Sequence, residues 1–215
     1  MKIHEVFDRK IEELKSDDRV QGILLTGSLA RGTETAYSDL DIIVIADFKD
    51  VKEEVIDGVP VETHYDTVES VRKWLAVKPE SAYLYTYGKV IYDRDNVLQG
   101  LINYAKNILE SYEITEIRKA YFNHKLKAIA EKLTASLALK DDQKINYLIH
   151  NNFNVLVEMV YALNSLPVAP QGLNYEIFHT LNIKPCESWL TDLVNLKGVE
   201  LGNYVMKMIE EIRFN

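Results

Sequence analysis

The sequence predicts an α+β protein, in which a domain of strands and helices over residues 1–95 is followed by an α-helical bundle over residues 96–215. Apolar runs of strand length recur up to Asp93. After that point they give way to long segments with helical periodicity, so the domain boundary is expected at residues 93–97. A Gly-Ser turn and an Asp-x-Asp pair lie between two of the strands, which marks residues 22–45 as the candidate functional segment.

The first domain begins with an amphipathic helix and two apolar strands. Five apolar residues recur at helical spacing within the first sixteen residues: Ile3, Val6, Phe7, Ile11 and Leu14. Two strands follow, at residues 20–26 and 39–46. Their runs of isoleucine, leucine and valine are typical of strands that are buried on both faces.

A further strand is expected at residues 59–65. The charged stretch 47–58 before it predicts a short helix or loop that ends in an Asp57-Gly58 turn. Residues 59–65 then alternate, with valines on one side and polar residues on the other. Pro60 places this strand at the start or the edge of a sheet, because proline cannot donate a ladder hydrogen bond.

The end of the first domain predicts one helix, a tyrosine-rich segment and a last strand. A short helix is expected at residues 67–75. Tyr83, Tyr85 and Tyr87 would share one face if their segment were a strand, either as packing residues or as a surface for a base or a sugar-like acceptor. Residues 88–93 predict the strand that completes the domain.

The second half of the chain predicts four long helical segments. They are expected at residues 97–110, 116–139, 143–164 and 188–212. Gly198 and Gly202 are expected to break the last of them, and a polar, proline-containing link at residues 165–172 separates it from the third.

The composition excludes several classes of protein. The formal net charge of −8 argues against a large nucleic-acid substrate, because affinity for nucleic acid comes mainly from lysine and arginine. Cys186 is the single cysteine, so no internal disulfide can form and a cytoplasmic location is expected. No apolar run approaches membrane-spanning length, so no membrane partner is expected. Nothing in the sequence excludes a homodimer.

The Gly27-Ser28 turn has the chemistry of a phosphate-binding site. Glycine permits a tight turn and lets backbone N–H groups approach a ligand closely. Ser28 can cap the short helical turn that follows, and N–H groups at a helix start attract phosphate. Arg31, in the same turn, could neutralise a phosphate or brace the loop through a carboxylate.

Asp39 and Asp41 have the chemistry of a metal site. Residues i and i+2 of a strand point to the same side, so the two carboxylates project together. Such carboxylates repel each other unless a cation lies between them, and oxygen ligands suit Mg²⁺.

These residues together resemble the signature of the DNA polymerase β-like nucleotidyltransferase superfamily. Gly27-Ser28 is followed after ten residues by Asp39-Leu40-Asp41, between two apolar strands. The variant Gly-Ser-Leu-Ala-Arg-Gly with Ser-Asp-Leu-Asp looks like the bacterial branch that includes aminoglycoside and minimal nucleotidyltransferases. The resemblance implies a mixed-sheet nucleotidyltransferase domain, two Mg²⁺ ions and ATP or another NTP as the donor. A C-terminal helical domain also fits the aminoglycoside-modifying members.

The superfamily also carries a third carboxylate on a later strand. Val61-Glu62-Thr63 matches that position loosely, and a strand beside Asp39 and Asp41 would bring Glu62 to the same place. Asp66 has the same strand parity but is expected to cap the following helix. Glu62 is the favoured residue, either as a metal ligand or as a base. His64 is either a supporting neighbour or an exposed strand residue.

The acceptor side of the reaction is expected in the helical domain. His150, Asn154 and Glu158 are spaced four residues apart and share one helix face. A carboxylate or imidazole there could deprotonate an acceptor hydroxyl if the face lined a cleft; otherwise the stripe faces solvent.

The resemblance therefore implies transfer of a nucleoside monophosphate, AMP from ATP in the expected case, to a hydroxyl of a small molecule with release of pyrophosphate. An aminoglycoside-like acceptor would suit the acidic composition. The alternative is a regulatory or antitoxin-like protein of the same fold that acts on or binds a partner protein.

Overall fold

A computed structural model describes residues 2–181, 188–212 and 214. Cys186 and the Lys184-Pro185 pair lie outside this range. The chain forms two compact units, residues 1–111 and 112–215, and each is described by itself.

The first unit has five strands and five α-helices in its described residues, which confirms the predicted α+β class. In chain order they are α1 (Lys2–Lys15), β1 (Val20–Leu25), α2 (Gly27–Arg31), β2 (Leu40–Ala46), β3 (Asp50–Ile56), β4 (Val59–Asp66), α3 (Val68–Val77), α4 (Ala82–Thr86), β5 (Lys89–Asp93) and α5 (Val97–Glu110). A single 3₁₀ turn, Pro79–Ser81, precedes α4.

The five strands form one mixed sheet in the order β3-β4-β2-β1-β5. Strands β2 and β4 are parallel, and all other neighbours are antiparallel. One face carries α1 over a core that includes Leu40, Ile42 and Val44. The other face packs Ile43 and Ile45 against α3, α4 and α5. The alternation of β2 therefore assigns each of its residues to one of two cores.

Strand β3 corrects the expectation of a helix or loop at residues 47–58. The strand pairs with β4 through the hairpin turn at Asp57 and Gly58, whose φ values are 51° and 80°. That turn was predicted and is confirmed. Two consecutive residues at positive φ match the right-handed twist of a hairpin, so the turn positions β3 beside β4. The strand lies at the edge of the sheet with its side chains exposed, so it carries no apolar alternation that a sequence could reveal.

The tyrosine-rich segment is helical, and the strand considered for it is wrong. Tyr83 and Tyr85 lie in α4 and are buried, whereas Tyr87 follows the helix and is exposed. The rings at positions 83 and 85 are therefore buried and do not form an exposed surface for a ligand, and Tyr85 lies in the core that covers Ile43 and Ile45.

Helix α5 packs within the first unit. Leu98, Leu101 and Ala105 are fully buried in the core that covers Ile43 and Ile45. The carboxylate of Asp93 accepts hydrogen bonds from the backbone N–H groups of Leu98 and Gln99, which satisfies the start of the helix. The contacts thus divide the chain after α5, at residues 111/112, while the sequence places the domain boundary before it, at 95/96.

A buried lysine connects α1 to the sheet. Lys10 is 2% exposed, and its Nζ lies 2.7 Å from Glu54 Oε2 on β3 and 3.0 Å from Glu13 Oε1. Burial alone would lower the pKa of Lys10, but the hydrogen bonds to the two carboxylates outweigh it and raise the pKa above its ordinary value. The ammonium group is therefore charged in the folded protein at neutral pH.

Removing both partners of Lys10 should cost far more stability than the sum of the single changes. Glu13→Ala or Glu54→Ala alone leaves one carboxylate on the ammonium group, and each should cost about 1 kcal/mol or less. The double variant leaves a buried charge without a carboxylate and should cost roughly 3–5 kcal/mol. Urea unfolding of the four proteins measures this coupling. Glu12→Ala, an exposed change on the same helix, is the control, and additive costs would contradict the prediction.

The second unit is helical throughout its described elements. It contains α6 (Glu116–Ala138), α7 (Asp142–Leu163), α8 (Gln171–Phe178), α9 (Trp189–Asn195) and α10 (Gly198–Glu211). The predicted break at Gly198 is confirmed, whereas Gly202 lies inside α10. Helix α8 is short and follows a proline-containing link, and the sequence did not predict it. Among the described residues, no helix has both the length and the apolar content needed to cross a bilayer.

Candidate nucleotide site

The turn between β1 and α2 brings backbone directly against a carboxylate of β2. The Thr26 N–H donates to the carbonyl oxygen of Asp41 at 3.0 Å, which fixes the turn to the start of β2. Gly27 has φ +68°, and a Cβ there would overlap Asp41 Oδ2 and lie 3.2 Å from its Cγ. Only glycine fits this position, both because of its φ and because the carboxylate occupies the side-chain space.

Ser28 and Arg31 complete this turn. The Ser28 hydroxyl oxygen is buried without a hydrogen-bond partner in the described residues, so one polar group at the turn is left for a ligand. Thr26, not Ser28, is the residue before the helix, and neither side chain caps it. Arg31 donates from Nη1 to the Gly27 carbonyl at 2.8 Å. Of the two roles expected for Arg31, this bond shows bracing, through a backbone carbonyl.

Asp41 and Glu62 are directly paired neighbours on one face of the sheet. In the parallel register of β2 and β4, Asp41 lies opposite Glu62. Both are half-buried and belong to the sheet face of Ile43, while Val61 and Tyr65 face the α1 side. Asp39 lies two residues earlier, just before β2 begins, and is exposed. The structure thus places Glu62 on the strand adjacent to Asp41, as the sequence expectation required.

The charges around Asp41 act on one another. Burial raises the pKa of Asp41 above its ordinary value, and repulsion from Asp39 and Glu62 raises it further. His64 and Arg31 act in the opposite direction but do not offset this shift. A cation that binds beside Asp41 would stabilise its ionised form and so offset the effects of burial and repulsion.

Glu62 and Asp66 differ in their partners. Glu62 Oε1 lies 2.5 Å from His64 Nε2 on the same face of β4. Asp66 Oδ1 accepts the Thr67 N–H at 2.9 Å and lies 3.4 Å from Lys49 Nζ. The N-cap of α3 is Thr67, whose hydroxyl accepts the Ser70 N–H, so the expectation that Asp66 caps this helix is wrong by one residue.

The donor set fits a divalent cation by its chemistry. Asp39, Asp41 and Glu62 supply carboxylate oxygens, which Mg²⁺ prefers. Repulsion from Asp39 and Glu62 contributes to the raised pKa of Asp41. The side chains are not already gathered: within residues 2–181, 188–212 and 214, no group of three or more His, Cys, Asp or Glu is arranged to hold a metal ion.

The residues expected on the acceptor side lie on α7 in the second unit. His150 and Asn154 are exposed, and the His150 ring shares a hydrogen bond through Nδ1 with the Asn146 carbonyl at 2.8 Å. Glu158 pairs with Arg118 of α6. Glu158 therefore already has a cationic partner.

One residue near the site, Glu53, was not predicted from the sequence. Glu53 on β3 lies opposite Glu62, so Asp41, Glu62 and Glu53 form a row across three strands. His64, expected to be either a supporting neighbour or an exposed strand residue, is exposed and also contacts Glu62 directly. The signal for Glu53 is the Asp57-Gly58 turn, from which the hairpin register follows once β3 is recognised as a strand.

One family of known proteins matches most of the chain. The nucleotidyltransferase domain family matches residues 8–162, which include the whole Gly-Ser to Glu62 site. No curated protein matches the chain.

Among solved structures, the chain is similar to a nucleotidyltransferase-like protein from Exiguobacterium sibiricum. The two are 16% identical over 95% of this chain and 72% of that one, with a TM-score of 0.44. The family match covers well over half of the chain and contains both the Gly27-Ser28 turn and the paired carboxylates. The chain therefore belongs to the nucleotidyltransferase domain family.

Proposed function

We propose that the protein is a metal-dependent nucleotidyltransferase that moves a nucleoside monophosphate, AMP from ATP, to a hydroxyl of a small molecule and releases pyrophosphate. The observation that carries this proposal is the contact of Gly27 with Asp41, beside Glu62. A phosphate-binding turn and a carboxylate pair that adjoin in this way can hold both the triphosphate and its counterion.

The turn binds the triphosphate. The Ser28 hydroxyl, buried and unpartnered among the described residues, donates to a phosphate oxygen. Gly27 has no side chain, so phosphate and carboxylate can approach the same backbone. Arg31 holds the Gly27 carbonyl and opposes the upward shift of the Asp41 pKa, so its positive charge lies close enough to stabilise a leaving pyrophosphate.

The carboxylates prepare the attack. Asp39, Asp41 and Glu62 would hold two Mg²⁺ ions, which when bound neutralise the triphosphate and lower the pKa of the attacking hydroxyl. Asp41 is the central ligand, because it is half-buried and lies between the charges of the other two. Glu62 is the third carboxylate in preference to Asp66, since it lies opposite Asp41 while Asp66 is bonded to Thr67. The contact of His64 with Glu62 orients that carboxylate.

The acceptor is a cationic, hydroxylated molecule of the aminoglycoside type. The row of Asp41, Glu62 and Glu53 is acidic, and the net charge is −8, so a cationic acceptor is attracted to this face of the sheet. The resemblance of the Gly-Ser and Asp-x-Asp segment to the bacterial branch supports the same class.

The test is nucleotide transfer with labelled ATP and Mg²⁺, with and without a panel of aminoglycosides. We expect label on the aminoglycoside, pyrophosphate release, and loss of both in Asp41→Asn. Asp50→Asn is the matched control, because Asp50 lies opposite Tyr65 on the other face of the same sheet. Absence of metal-dependent nucleotide binding, with Asp41→Asn behaving as wild type, would overturn the proposal. Label on a partner protein would favour the antitoxin-like alternative.

A further inference from the structure

One tyrosine near the candidate site is almost completely exposed. Tyr37 is 96% exposed, more than any other large hydrophobic or aromatic side chain in the described part of the chain. It lies in the loop between α2 and β2, which connects the Ser28 turn to Asp39. Burying an aromatic side chain normally stabilises a protein, so exposure of this kind is compatible with a role toward solvent or ligand.

The loop around Tyr37 is ordered by its own hydrogen bonds. The Thr35 N–H donates to Ser38 Oγ at 2.9 Å, and the Ser38 N–H donates to the Thr35 carbonyl at 3.2 Å. The Tyr37 N–H donates to Thr35 Oγ1 at 3.2 Å. The backbone of Tyr37 is therefore fixed, while its ring has no aromatic, cation–π or hydrogen-bond contact within the described residues.

The other tyrosines of the first unit differ from Tyr37. Tyr83 and Tyr85 are buried, and Tyr87 is 46% exposed with its ring packed beside Tyr83 at a centroid distance of 6.1 Å. The hydroxyl of Tyr92 interacts with Arg94. Tyr37 thus combines a free ring with a position next to the carboxylates.

The chain length limits how far Tyr37 can lie from the site. Only Ser38 separates it from Asp39, so the Cα atoms of Tyr37 and Asp39 lie at most about 7 Å apart. A triphosphate bound by Ser28 and Asp39 would lie within reach of a loop that joins those two residues.

We propose that the phenol of Tyr37 is itself an acceptor, so that the protein nucleotidylates its own Tyr37. This inference rests on the proposed function and extends it to a second hydroxyl. The Tyr37 oxygen forms a bond to the α-phosphorus of the NTP as the bond from that phosphorus to the bridging oxygen breaks. Pyrophosphate leaves with the electron pair of the broken bond, and the phenolic proton passes to solvent. The product is a phosphodiester that joins tyrosine to the nucleoside.

The experiment is intact-mass and peptide mass spectrometry of the full chain after incubation with ATP and Mg²⁺ and no other acceptor. We expect the mass of one AMP residue on the peptide that contains Tyr37. Tyr37→Phe should remove the adduct, because phenylalanine has no hydroxyl, and it should not disturb folding at so exposed a position. Tyr87→Phe and Tyr147→Phe, which also remove exposed hydroxyls, are the matched controls and should keep the adduct.

The outcomes separate this inference from the proposed function. Metal-dependent ATP binding by the wild type without an adduct on Tyr37, or with an adduct that persists in Tyr37→Phe, overturns the inference alone. Absence of metal-dependent ATP binding overturns the proposed function, and this inference with it. An adduct on Tyr37 that is lost in both Tyr37→Phe and Asp41→Asn supports both.

Discussion

Gly27→Ala is expected to abolish most nucleotide transfer while leaving a folded protein. The new Cβ would overlap the Asp41 carboxylate, so that carboxylate must move away from its place beside Glu62. Misplacing a catalytic group by about 1 Å can cost roughly 100-fold in rate, and we expect a loss of at least that size. The positive φ of Gly27 should add a stability cost of about 1–2 kcal/mol.

Gly32→Ala separates the two effects. Gly32 has φ +70°, nearly the same as Gly27, but nothing lies within 4 Å of the position that its Cβ would take. It should therefore cost about the same stability as the backbone strain at Gly27, about 1–2 kcal/mol, and keep most of the activity. Urea unfolding and steady-state kinetics of both variants measure the difference. Equal activity losses in Gly27→Ala and Gly32→Ala would show that the close approach to Asp41 is not the reason why position 27 requires glycine.

Asp41→Asn is expected to lose activity and to gain stability. The substitution keeps the shape of the side chain but removes the charge that would hold the cation. Because a metal ion contributes several kcal/mol to stabilising a transition state and 1.36 kcal/mol is tenfold in rate, we expect a loss of about 100-fold or more. The stability gain follows because burial and the charges of Asp39 and Glu62 disfavour the ionised Asp41 in the folded protein.

The stability gain should depend on pH with a definite sign. The pKa of Asp41 is raised on folding, so between the ordinary aspartate pKa and the raised value the folded state binds more protons than the unfolded state. Wild-type stability therefore falls relative to Asp41→Asn as pH rises through that interval, and the difference is constant above it. Urea unfolding of both proteins from acid to neutral pH measures this, with Asp50→Asn as the control. A difference that shrinks as pH rises would contradict the assignment.

The parts of the fold that were predicted correctly are those whose signal is local. The runs of β1 and β2 are apolar because both of their faces are buried, and the stripe of α1 is regular because one face covers a core. The Asp57-Gly58 turn is recognisable because few other dipeptides adopt two positive φ values in succession.

The misassigned elements are those that depend on tertiary pairing. Residues 50–56 form a strand because β4 supplies their hydrogen bonds. Their side chains are mostly exposed and charged, so the sequence shows no pattern that indicates this pairing. Tyr83 and Tyr85 are spaced like the residues of a strand, yet they lie in a helix of five residues. That helix is too short for its own periodicity to show, and burial against α5 decides its conformation.

The candidate site shows the same division. Gly27, Ser28, Asp39 and Asp41 were predicted from one continuous segment, and the structure brings Gly27 and Asp41 into contact. The choice between Glu62 and Asp66 required the register of the parallel pair β2 and β4, which no local pattern encodes. His150, Asn154 and Glu158 lie on one helix, α7, as predicted. The ion pair of Glu158 with Arg118 could not be predicted, because it depends on the packing of α6 beside α7.

The charged edge formed by β3 also affects how the protein avoids aggregation. An edge strand offers unpaired N–H and C=O groups to any other extended chain. Four of the seven residues of β3 are charged, and three of those four are acidic: Asp50, Lys52, Glu53 and Glu54. A second copy that added itself edge to edge would bring two strands of net negative charge together. The strand that completes the acidic row of the site therefore also protects the sheet against extension into a larger β-assembly.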